Sequence, residues 1–200
     1  MWLPSRCPCC TTIGPVPCPT CAAAVSRPGR ISPPAGIDRL DVAFDHDGVG
    51  RELVLAWKFR HCRELEPWFA ACLLHRLAAG SAAEQPDLIT WVPASIAGRR
   101  RRGHDQSRRL ANLIGRDAGV AVTGLITRID RRTQAGRTRS ERVAEQNRFD
   151  PVRPSQRLDG AHLLIIDDVL TTGASLASAA LVLRRLGAAS VDAAVVSARA

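Results

Sequence analysis

From residue 37 onward the apolar and polar positions fall into an alternating series of short blocks. "LDVAFDH" (40–46) reads as a strand closed by "DG", and Val49 to Phe59 and Leu65 to Leu77 repeat their apolar positions at helical spacing. "DLITWVP" (87–93) is a continuous apolar strand halted by Pro93, and a helix is expected around Asp105 to Gly115. "GVAVTGLIT" (119–127) is a weaker strand and "HLLIID" (162–167) a strong one; a helix over Ala174 to Leu186 and a last strand in "SVDAAVVSA" (190–198) follow. Strands taking turns with helices predict an α/β domain, a mostly parallel twisted sheet covered by helices on both faces.

The first 36 residues do not share this alternation. "AVSRPGRISPPAG" has the proline and glycine content of a linker, so the main domain is expected over 37–200 and a separate segment over 1–30. That segment holds five of the seven cysteines, arranged as Cys7-x2-Cys10 and Cys18-x2-Cys21, a spacing that suits tetrahedral zinc held by four thiolates. A zinc-ribbon-like knuckle is expected, with Zn2+ supplying the folding energy that so short a segment lacks. Disulfide pairing is the competing reading, which a reducing cytosol disfavours. Cys9 leaves the ligand choice open; Cys62 and Cys72, in apolar helical surroundings, read as core.

Charge adds a second asymmetry. The formal net charge is +9, and the stretch from Arg99 to Arg148 alone holds fourteen arginines against five acids, so the remainder is neutral. Arginine preference explains the residue type but not the clustering, which suits an anionic partner, a polyphosphate or a nucleic acid. Aromatics are only 4% and tyrosine is absent, which leaves few platforms for base stacking. No apolar run approaches the ~20 residues of a membrane span, and "MWLPSRCPCC" lacks the apolar stretch of a signal peptide. A soluble, cytoplasmic protein without membrane insertion is expected.

The most informative stretch is "LLIIDDVLTTGAS" (163–175). Asp167 and Asp168 close the buried strand, and the small and hydroxyl residues after them lead into a helix whose apolar face is Leu176, Ala179, Ala180 and Leu183. In a parallel sheet, ligands bind at the carboxyl ends of strands, where helix N-termini present free N–H groups to anions. Gly173 and Ala174 let the backbone approach a phosphate, and Thr171, Thr172 and Ser175 add hydroxyl donors. Two neighbouring carboxylates need donors or a cation, and a sugar phosphate with Mg2+ supplies both.

This stretch resembles the phosphoribosyl-pyrophosphate (PRPP) signature of type I phosphoribosyltransferases. Together with the four-cysteine knuckle, "LAWKFRHCRELEPW", "VPASIAGRRRRGHDQSRRLA" and "RRTQAGRTRSER", it makes nearly the whole chain resemble the ComF family of competence-associated, phosphoribosyltransferase-like proteins. The resemblance implies that Asp167 and Asp168 meet the ribose hydroxyls and that 171–175 hold the 5′-phosphate. It also implies that Ala94, Ser95 and Arg99 seat the pyrophosphate, with Arg102 of "RGHDQ" the arginine that stabilises its departure. A lid carrying Gln134, Arg139 and Arg142 would exclude water. PRPP with Mg2+ is the implied ligand, and single-stranded DNA or DNA-uptake proteins the implied partners. His104 reads as a helix-start or surface residue more readily than as an acid or base, and Lys58 either reaches the pyrophosphate or snorkels to solvent. The acceptor and the oligomeric state are not legible.

Overall fold

The computed structural model describes residues 5–80, 85–129, 149–153, 155 and 157–199. Its centre is a four-stranded, all-parallel sheet in the order β1 (Leu40–Asp45), β6 (Ser190–Ala198), β5 (His162–Leu170), β2 (Leu88–Trp91). The register pairs Leu40 with Ala193, Leu164 with Asp192 and Ile89 with Leu164. Between these strands run α2 (Gly48–Phe59), α3 (Glu66–Ala79), α4 (Ile96–Arg102), α5 (Gln106–Ala118) and α6 (Ala174–Arg185). A short helix α1 (Pro19–Ala23) lies in the cysteine segment, and β3 (Ile126–Arg128) pairs antiparallel with β4 (Phe149–Pro151) in a separate two-stranded arm.

Both faces of the sheet are covered, and the period-two alternation of β5 explains how. Leu163 and Ile165 pack with Leu176, Ala179 and Leu183 of α6, whereas Leu164 and Ile166 pack with Trp57, Phe69 and Ile114 from α2, α3 and α5. A run that is apolar at every position is what a strand buried on both sides requires. Each fully buried Leu or Ile contributes about 1.5–3 kcal/mol, so β5 anchors the centre of the sheet.

Three differences from the sequence reading have physical causes. Helix α4 lies in the arginine run, which lacks apolar periodicity and to which the sequence assigned no element; Ser95 caps it by accepting the Gly98 N–H at 3.0 Å, and Gly103 ends it at φ +74°. The expected strand at 119–127 shrinks to Ile126–Arg128, with Val122 making one isolated parallel bridge to Ile89. Strand β5 runs three residues past Asp167, because Val169 and Leu170 still pair with Ser197 and Ala198.

Candidate functional site

Asp167 and Asp168 stand half-buried at the carboxyl end of β5, between β2 and β6. Asp167 Oδ1 accepts from Ser107 Oγ at 3.3 Å, in the first turn of α5, and from the Asp168 N–H at 2.8 Å. Asp168 Oδ1 accepts from the Val169 N–H at 2.7 Å, and its Oδ2 lies 2.8 Å from the ammonium of Lys58, in the last turn of α2. Burial pushes the Asp167 carboxyl up to about 7, and the charge of Asp168 adds to the rise; Lys58 and Ser107 act against it.

A cavity of about 240 Å³ opens over this pair. Its walls include Ser175 of α6, Ala94 and Ser95 of the loop after β2, Arg102 of α4 and Arg128 of β3. Gly173 precedes α6 at φ +73° and, as its N-cap residue, offers no side-chain cap. The Ala174 N–H reaches Thr172 Oγ1 at 3.4 Å, while Thr171 and Thr172 are exposed. Adjacent carboxylates beside an uncapped helix start can bind a ligand that carries both a diol and a phosphate.

The loop after Pro93 divides its donors. The Ala94 N–H is engaged by Asp105 Oδ2 at 2.9 Å, and Asp105 Oδ1 accepts the Arg108 N–H at 3.2 Å as the cap of α5. Among the four arginines of α4, Arg102 lines the acid cavity; its guanidinium folds back over Gly98, where an added Cβ would meet Nη2 at 2.8 Å. Arg99 instead lines a neighbouring cavity of about 820 Å³, with Trp91 and Arg108, whose guanidinium lies 5.6 Å from the Trp91 ring. His104 sits at the junction, its Nδ1 2.7 Å from the Arg102 carbonyl, and burial lowers its pKa. The expected lid residues Gln134, Arg139 and Arg142 lie outside the described residues.

Three contributors escaped the sequence reading. Ser107 touches Asp167 but reads only as a polar residue of a helix. Arg128 lines both cavities, donates through Nε to the Pro93 carbonyl at 3.0 Å and covers the Phe149 ring at 4.8 Å. Gln106, buried, donates through Nε2 to the Trp57 carbonyl at 3.1 Å and so fixes α5 against the turn that carries Lys58. Of these, only Gln106 had a signal, its place at the end of "RGHDQ".

At the other end of the chain, the sulfurs of Cys7, Cys10, Cys18 and Cys21 all lie within 4.8 Å of one another. With metal–sulfur bonds of about 2.3 Å, a tetrahedral site places its sulfurs roughly 3.8 Å apart, so this set fits a thiolate-bound metal. Cys9 does not join it. Its side chain packs between the cysteine cluster and the core shared by α2, α3 and α5, and the four mutually close sulfurs leave it out of the set. The knuckle is fastened to α2 by Arg60, whose Nη1 donates to the Pro8 carbonyl at 3.4 Å.

No helix among the described residues is long and apolar enough to cross a membrane. Residues 93–200 match the family model "Phosphoribosyl transferase domain". The "DNA utilization protein YhgH" of Salmonella typhimurium is 31% identical over 88% of this chain and 81% of its own, and the protein of the same name from Escherichia coli K12 is 27% identical over the same shares. A purine phosphoribosyltransferase from Pyrococcus horikoshii Ot3 superposes over 66% of this chain and 71% of its own, at 16% identity and a TM-score of 0.38. Because the domain match takes in both the acid pair and the helix start behind it, and the likeness to the Salmonella protein extends over most of the chain, this protein belongs to the ComF family of phosphoribosyltransferase-domain proteins.

Proposed function

We propose that the chain binds PRPP with Mg2+ in the cavity over Asp167 and Asp168 and transfers the phosphoribosyl group to an acceptor. The observation that carries this reading is one cavity joining two adjacent carboxylates to Ser175, in the first turn of an uncapped helix. Asp167 and Asp168 would accept from the ribose hydroxyls, and the amides and hydroxyls of 171–175 would hold the 5′-phosphate. Ser95 and Arg102 would face the diphosphate, Arg99 would extend that seat from the adjoining cavity, and Gln134, Arg139 and Arg142 would close over it. The bond from the anomeric carbon to the diphosphate breaks with its electron pair leaving on oxygen, and the acceptor forms the new bond from the opposite face as it loses its proton. Donors already aimed at the leaving group stabilise that charge without reorganising. The half-buried acid pair offers oxygen ligands, which suit a hard cation; when bound, Mg2+ would supply positive charge to the diphosphate.

The four thiolates would hold structural Zn2+, in a reducing compartment that keeps them unpaired. The relatives named for DNA utilization support a role in DNA handling and uptake. A second reading, a DNA-binding module that senses PRPP or does without it, is favoured by Phe59. This ring is 49% exposed, in a chain poor in aromatics, and the Arg101 guanidinium lies 4.9 Å from its centre.

Isothermal titration separates the two. On the first reading, the zinc-loaded protein binds PRPP only with Mg2+, loses that binding on Asp168→Asn, and releases pyrophosphate with one member of a panel of nucleobases and amines. On the second, single-stranded DNA binding survives Asp168→Asn and falls steeply with salt, and no pyrophosphate is released. Unchanged Mg2+-dependent PRPP affinity in the Asp167→Asn, Asp168→Asn double variant would overturn the assignment of the site.

A further inference from the structure

The chain has 28 basic residues, and Lys58 is its single lysine. That one ammonium points inward. It lies 2.8 Å from Asp168 Oδ2, and both side chains are less than a fifth exposed, although a lysine in the last turn of a helix ordinarily extends to solvent. The backbone that carries it is tightly held: the neighbouring Trp57 is fully buried, its indole N–H donates to Glu66 Oε1 at 3.3 Å, and its carbonyl accepts from Gln106 Nε2 at 3.1 Å.

Charge and size give this placement a meaning. Two adjacent acids concentrate negative charge at a half-buried edge, and Lys58 offsets that of Asp168. A divalent ion held beside this carboxylate would sit near the ammonium, where two cations repel. Arginine would grip the carboxylate with a rigid two-pronged fork; lysine makes a single point contact on a flexible stem and can withdraw. The one position at which this arginine-rich chain uses lysine is the one that faces the acid pair.

We propose that Lys58 is a displaceable counter-ion. It neutralises Asp168 while the cavity is empty and releases the carboxylate when ligand and divalent cation enter, which frees its ammonium to face the diphosphate. The inference rests on the PRPP and Mg2+ reading above.

The single lysine provides the test. Reductive methylation of the zinc-loaded protein with 13C-formaldehyde keeps the charge and gives one side-chain resonance, apart from the terminal amine. Titration with Mg2+, alone and then with PRPP, is expected to move that resonance saturably, and Asp168→Asn to abolish the response. By calorimetry, Lys58→Gln is expected to bind Mg2+ about tenfold tighter than the natural chain, equivalent to about 1.4 kcal/mol, while Lys58→Arg, which keeps the charge, binds no tighter. Binding that Asp168→Asn abolishes, with an unmoved lysine resonance or no tightening in Lys58→Gln, would overturn the counter-ion role and leave the site intact. Binding that Asp168→Asn leaves unchanged, or no binding in any variant with PRPP present, would overturn both.

Discussion

Arg109 of α5 holds Glu66 of α3 by both carboxylate oxygens, at 2.7–3.0 Å, and Glu66 is only 2% exposed. The same carboxylate accepts the Trp57 indole N–H from α2, so a single acid ties together the three helices that cover one face of the sheet. Removing one partner of a buried pair strands the other charge. Arg109→Ala is therefore expected to destabilise the fold by about 2–3 kcal/mol, the partial exposure of the arginine lowering the usual figure, and Glu66→Gln, which keeps an acceptor for the indole, by about 1–2 kcal/mol. Urea unfolding of both variants checks the order; an equal or reversed cost would show that the ion pair does not hold the helices.

Asp167 gives stability a pH dependence whose sign is fixed. Its carboxyl, pushed up to about 7 in the folded chain by burial and the adjacent Asp168, has an ordinary value of 3.8. Between those values the native state retains a proton that the unfolded chain has released, so the contribution of Asp167 to stability falls as pH rises through the window. Asp167→Asn removes the effect. It is expected to be more stable than the natural chain by about 2–4 kcal/mol at pH 8, with the difference closing toward pH 4. Denaturant midpoints across that range test this; a gap independent of pH would mean that the proton is not held at Asp167.

The sequence carried the sheet and the acid pair because both rest on local patterns. A strand buried on both faces must be apolar throughout, and β5 and the core-facing positions of α6 were legible for that reason. Helix α4 was not, since Arg99 to Arg102 have no apolar stripe, although its cap Ser95 and its terminator Gly103 were in plain view. The contacts of Ser107, Lys58 and Arg128 join residues 60, 110 and 35 positions apart in the chain, and no periodicity encodes a meeting of that kind. For the cysteines, spacing supplied two pairs, but only the fold shows that the four sulfurs of those pairs converge without that of Cys9, which packs beside them.

That four-sulfur set yields a discriminating metal experiment. Cys9→Ser is expected to retain one zinc per chain, whereas serine at Cys7, Cys10, Cys18 or Cys21 loses it, read by a colorimetric zinc assay after thiol release. If thiolate ligation supplies the folding energy of the segment, chelation is expected to speed tryptic cleavage after Arg6, held inside the knuckle by its bridge to Ile13, with the cut located by mass spectrometry. Loss of zinc in Cys9→Ser, or no new cleavage on chelation, would contradict a structural four-thiolate knuckle.

Gly173 is a strict requirement of the turn proposed to hold the phosphate. Its φ of +73° is unfavourable for any residue with a Cβ, and a Cβ added there would lie 2.7 Å from Pro34 Cγ and 3.0 Å from Pro34 Cβ, atoms of a ring that cannot swing aside. Gly160 has nearly the same φ, +78°, but nothing within 4 Å of its added Cβ. Substitution at Gly160 therefore isolates the conformational cost, about 1 kcal/mol, from the steric one. Gly173→Ala is expected to cost about 2 kcal/mol or more, and to weaken Mg2+-dependent PRPP binding about tenfold as the start of α6 shifts away from the acid pair. Gly160→Ala is expected to leave that affinity unchanged. Equal affinity in the two variants, measured by titration calorimetry, would mean that the loop at 171–175 does not set the phosphate's position.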